Sequence, residues 1–162
     1  MVDGHLATYL NNHLAGAVAA IELLTHIEAA HAGTATAHFF AELRADVEAD
    51  RQELEALMGR LRVTVSRSRE VIAFFAEKAT QLKLRLDDSA GGALRLLEVS
   101  EAVALGIEGK RALWRALATA AEVSPALQVA DYERLTRRAE EQRQRVETVR
   151  LEAARAAFTA PP

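Results

Sequence analysis

Two stretches near the N-terminus pair a carboxylate with an imidazole at helical spacing: Glu22 with His26, and Glu28 with His31. Residues three or four apart share a helix face. The E-x-x-H unit of Glu28 and His31 is the one with which di-iron bundles hold their metal. All five histidines (His5, His13, His26, His31, His38) lie in the first 38 residues. His38 would come near Glu28 and His31 across a helical hairpin, so these three are the candidate ligands for iron or another transition metal. Two facts count against them. His38 and Glu42 fall on the outer side of their helix, and no histidine follows His38. The expectation is therefore no metal and no cofactor, with a solvated cluster beside a turn.

Other chemistry finds little support. There is no cysteine, which excludes disulfides, thiolate ligands and thiol nucleophiles. Ser66, Ser68, Ser89, Ser100 and Ser124 fall mostly where helices begin, and capping explains them. GIEGK at 106–110 resembles a phosphate loop only superficially, because no strand precedes it.

The elements that would position these residues are helices. Apolar residues recur at 3.6-residue spacing almost throughout. One helix is expected from about Asp3 to Gly33, a second to about Leu61, and a shorter one from about Thr64 or Ser66 to Leu86. A fourth should follow the LDDSAGG break and run to about Glu122, and a fifth should start at Ser124-Pro125. Residues 1–158 form one domain and 159–162 a frayed tail. Four helices this long, joined by short turns, pack as an antiparallel bundle with the shorter helix as an addition.

Projected on those helices, the apolar stripes are interrupted at a few positions. Asp50 sits in the seam Phe40, Leu43, Val47, Leu54, Leu57 and Leu61. Lys78, Lys110 and Gln142 interrupt the later helices, Lys110 in a stripe that also takes in Gly106. Asp50 and Lys78 lie at nearly equal distances from one turn, and Lys110 and Gln142 from another, so all four come level, one turn from His13. A buried polar layer of His13, Asp50, Lys78, Lys110 and Gln142 is the sharpest expectation. Its simplest role is structural, since a paired buried charge is tolerated where a lone one costs several kcal/mol. A small-ligand site at the same level is the alternative.

Composition bounds the rest. The 162 residues are half apolar, with net charge −3 from 20 basic and 23 acidic residues. Interleaved charges of that balance give no basic face for nucleic acid. The apolar run at 14–21 is far shorter than the ~20 residues of a membrane span. No basic-then-apolar leader is evident at the N-terminus, and a cytoplasmic protein is expected. Leu23, Ile27 and Leu105 are candidate outer contacts for a homodimer or a protein partner.

The stretches YLNNHLAGAVAAIELL, ADVEADRQELEALM, AEKATQLKL, LGIEGKRALWRAL and RRAEEQRQRVETVRLEAA resemble a set of uncharacterised bacterial helical proteins, within the ferritin-like helical superfamily. The resemblance implies a ferritin-like bundle. The iron site of that superfamily takes a glutamate from each of two helices and an E-x-x-H from each of two others. Only Glu28 and His31 match: the second helix offers Asp46 or Asp50, the fourth Glu98, Glu101 and Glu108 off the core stripe, and the fifth no histidine. The expected function is a non-enzymatic interaction or stress-related protein, with a divergent ferritin- or rubrerythrin-like di-metal oxidoreductase as the alternative.

Overall fold

A computed structural model describes residues 4–66 and 92–159, together with Ala73, Glu77, Thr80 and Gln81. Four long helices account for most of them: α1 Gly4–Ala30, α2 Ala35–Arg60, α3 Gly92–Ala121 and α4 Tyr132–Thr159. No strand occurs among the described residues. None of their helices is long and apolar enough to cross a membrane. The predicted shorter helix, including Lys78, lies outside the described residues apart from the four named.

Turn chemistry sets the ends. Gly33 adopts φ +80°, the left-handed conformation expected of a glycine that stops a helix. Thr34 then caps α2, its hydroxyl accepting from the Ala37 N–H at 3.2 Å. At the far end of α2, Val63 N–H donates to Met58 O at 2.9 Å and Arg62 N–H to Gly59 O at 3.0 Å, a Schellman arrangement. It requires positive φ at Arg62 (55°), where a Cβ is strained. Arg62→Gly should therefore raise stability by about 1 kcal/mol, measured by urea denaturation.

The start of α4 differs from expectation. Ser124-Pro125 opens only a 3-10 turn, Pro125–Leu127, and Ser124 makes no side-chain capping bond. Asp131 provides the cap, its carboxylate accepting from the Arg134 N–H at 2.9 Å. A local cap-and-proline signal was overridden by the corner that joins α3 to α4. Gln128 donates to Ala121 O, Tyr132 to Leu127 O, and Arg60 of α2 to Val129 O.

Close backbone approach is concentrated within two pairs, α1 with α2 and α3 with α4. The core has two apolar clusters. One gathers Leu10 and Leu14, Leu54 to Val63, Leu113 to Leu117, and Leu127 to Leu135. The other gathers Leu23 to Ile27, Phe40 to Val47, Val99 to Ile107, and Ala139 with Val146. Leu23 and Ile27 belong to this interior, which corrects their expected role as outer contacts. Gly106 is also corrected, because it is exposed and a Cβ there would meet nothing within 4 Å. Val99, Val103, Ile107 and Trp114 set the inward direction of α3 instead.

Ser100 is likewise not a capping residue. It is fully buried in α3, and its Oγ finds no partner among the described residues. An unsatisfied buried hydroxyl costs about 1–3 kcal/mol. Ser100→Ala should stabilise the fold by about 1 kcal/mol, and a drop in the urea midpoint would refute this account.

Candidate functional site

Between the two apolar clusters lies a charged layer built from three helices. Asp50 projects from the middle of α2 and Lys110 from α3, each where its helix stripe passes from one cluster to the other, and Gln142 projects from α4 between Ala139 and Val146 of the second cluster. Lys110 donates from Nζ to Asp50 Oδ2 and to Gln142 Oε1. Gln142 closes the triangle, donating from Nε2 to Asp50 Oδ2 at 2.9 Å. Asp50 and Gln142 are only 3% and 2% exposed. Three of the five residues expected in a polar layer are thus joined directly.

A further member was not anticipated. Arg138 of α4 lies with Nε 3.3 Å from Asp50 Oδ1 and donates to the Asp46 carbonyl at 3.2 Å. It starts on the flank of α4, beside Ala139, and its long stem carries the guanidinium inward. Asking which residues interrupt an apolar stripe cannot find such a side chain. His13 does not join: it is half-buried, with its ring edge-on to Tyr9 at 4.7 Å between centroids. It stands between Leu10 and Leu14, at the level of the first apolar cluster and below the layer. Burial lowers its pKa below the ordinary value.

Lys110 is the titratable residue whose environment is most telling. Burial pushes its pKa below the ordinary lysine value of 10.5, and the opposing pull of Asp50 does not fully compensate. Between the depressed value and 10.5, unfolded chains bind more protons at this side chain than folded ones. The Lys110 contribution to stability therefore rises with pH through that window. Stability of the wild type relative to Lys110→Met should increase as pH is raised from neutrality toward 10.5. A constant or falling difference in paired urea titrations would contradict the assignment.

The metal candidates are not assembled. Glu28 accepts from Arg44 Nε at 2.9 Å, His38 pairs with Glu42 at 3.1 Å along α2, and His31 sits in the turn after α1. No group of three or more potential ligands occurs among the described residues. With Glu28 committed to a guanidinium, the described residues do not assemble the iron centre that the resemblance implies. An open groove between α3 and α4 is lined by Arg111, Tyr132, Glu133, Thr136, Arg137 and Glu140. Its cations are already paired, Arg111 with Glu108 and Glu140, and Arg137 with Glu133.

The outer face of α3 is different in kind. Leu105, Gly109, Ala112, Ala116 and Thr119 follow one another in alternating steps of four and three residues, the spacing of a helix-packing seam. Leu105 is 73% exposed, Ala112, Ala116 and Thr119 are exposed too, and Val123 just beyond the helix is 87% exposed. No charge interrupts the row. The chain matches no family model, no curated protein and no solved structure.

Proposed function

We propose that the chain is a non-enzymatic interaction or stress-related protein of the cytoplasm, an antiparallel ferritin-like bundle of four long helices with one shorter helix. The two clusters support the topology: the C-terminal ends of α2 and α3 meet in the same cluster, as do their N-terminal ends in the other. α2 and α3 therefore run parallel, as the helices on either side of the crossover in a ferritin-like bundle do. In the polar layer, Asp50, Lys110 and Gln142 satisfy one another. That favours a structural layer over the small-ligand alternative.

The uncharged, exposed seam on α3 carries the interaction reading. Residues of this size let a second helix approach closely, and the partner we assign is a second copy of the chain, packing α3 against α3. Sedimentation of the tag-free protein at up to about 100 μM should show a dimer, and Leu105→Glu should give a folded monomer. A wild type that stays monomeric throughout that range would remove the homodimer. Stoichiometric transition metal in the same preparation would shift the reading to the di-metal alternative.

A further inference from the structure

The outer row of α3 has charge along one flank only. Glu101, Glu108 and Arg115 follow one another at seven-residue intervals and so form a single file beside the row. The opposite flank holds Gly106, Leu113 and Ala120, none of them charged. Along the file the acids come first and the arginine after them. Glu101 is bound by Arg150 of α4 at 3.3 Å. Glu108 is bound by Arg111 at 2.7 Å, with its side chain still 44% exposed. Arg115 is exposed and makes no ion pair or hydrogen bond among the described residues. Two glycines stand at the same level. Glycine disfavours a helix interior relative to alanine, yet a Cβ at Gly106 or Gly109 would meet nothing within 4 Å. Nothing that this chain packs against them calls for either one.

A flank of this pattern is self-complementary in one orientation. If a second α3 ran parallel, like positions of the two rows would face each other, and each flank would meet the partner's opposite flank. Arg115 would then lie near Leu113 and Ala120 and find no acid. Turned end to end, charged flank meets charged flank. With Gly109 opposite Ala112 and Leu105 opposite Ala116, each Arg115 comes beside the partner's Glu108, and symmetry makes the pair reciprocal. The Glu108 carboxylate can accept from Arg111 and from the partner's Arg115 together, since it offers about four acceptor sites. We infer that the self-association is antiparallel: two α3 helices cross about a two-fold axis between Gly109 and Ala112, closed by reciprocal Glu108–Arg115 pairs. The smallest side chain of the row then lies where the two backbones come nearest. The inference rests on the self-association proposed above and adds its orientation and register.

The absence of cysteine permits a direct test on the full chain. Ala102→Cys and Thr119→Cys continue the row on either side of the axis, at equal distances from it. In the antiparallel register each faces the other across the dimer, whereas like positions stand about 25 Å apart. Mixed at about 100 μM under mild oxidation, the two variants should give the mixed disulfide dimer, and each alone should stay uncrosslinked. Arg115→Glu should raise the dimer Kd roughly tenfold in sedimentation, because two attractions become two repulsions, with helix content unchanged by circular dichroism. Disulfides between like positions in each variant alone would overturn the antiparallel orientation and leave the self-association standing. So would an Arg115→Glu dimer of unchanged affinity. A wild type that stays monomeric removes the self-association itself, and this inference with it.

Discussion

Asp50→Ala should lose about 3–5 kcal/mol of stability, the cost of breaking a buried ion pair from one side. The reason is the asymmetry of the layer. Asp50 is the anion that both Lys110 and Arg138 face, and Gln142 donates to it as well. Removing it leaves two cations in a shared environment, one of them only 15% exposed at its side chain, with no carboxylate between them. Lys110→Met is the informative contrast. Asp50 then keeps Arg138 and Gln142, an apolar stem replaces a desolvated ammonium, and the loss should stay below about 1.5 kcal/mol. Equal costs for the two variants, or an Asp50→Ala loss below about 0.5 kcal/mol, would show that the layer is solvated. Urea unfolding of both variants at neutral pH decides between these outcomes.

The second large effect lies in the apolar clusters on either side. Trp114 is 1% exposed in the first and Phe40 is fully buried in the second. Truncating either to alanine should cost about 3–5 kcal/mol, combining lost transfer free energy with the cavity left behind. Because the charged layer stands between them, they share no apolar neighbour in either cluster. Conservative versions, Trp114→Phe and Phe40→Leu, should consequently combine additively within about 0.5 kcal/mol. A larger coupling would mean that strain passes through the layer. Trp114 is also the one tryptophan of the chain, so its fluorescence reports unfolding of the first cluster, while circular dichroism follows the helices as a whole.

Much of the architecture was legible because it rests on period and on turn residues. Gly33 ended the first hairpin helix as its left-handed conformation requires, and the seam through Phe40, Leu43, Val47 and Leu54 is the buried face of α2. Asp50, Lys110 and Gln142 could be picked out because each breaks an apolar stripe, and counting from turns placed them level. The same counting fails for His13. It assumes equal rise on both sides of a turn, and one helical turn of error is enough to lift a side chain out of a layer. Arg138 was invisible because its Cα belongs to a flank. Only the reach of its side chain, and the carbonyl of Asp46 that receives it, bring it in. The first turn of α4 was misplaced because Ser124-Pro125 is a sound local start, whereas the corner bonds from Arg60, Gln128 and Tyr132 depend on helices distant in sequence. The outer row of α3 escaped notice as a seam because glycine, alanine and threonine carry little hydropathy signal. Leu105 alone pointed to it.

The pairing of α2 carboxylates with α4 arginines, Glu53 with Arg134, Asp50 with Arg138, and Glu42 and Asp46 with Arg145, bears on which of two mirror-related chain paths the protein adopts. Two amphipathic hairpins can dock with α4 beside α2, as observed, or turned over with α4 beside α1. The apolar stripes alone discriminate poorly, since each is long and rich in leucine, valine and alanine. α1 offers only Glu22 and Glu28 as carboxylates along its length, and Glu28 is already held by Arg44. Turned over, Arg134, Arg138 and Arg145 would face a surface with almost no counter-charge, and Glu42, Asp46 and Glu53 would lose their cations. The row of acids on α2 thus favours the docking in which α4 lies beside it, a choice to which burial of apolar surface contributes little.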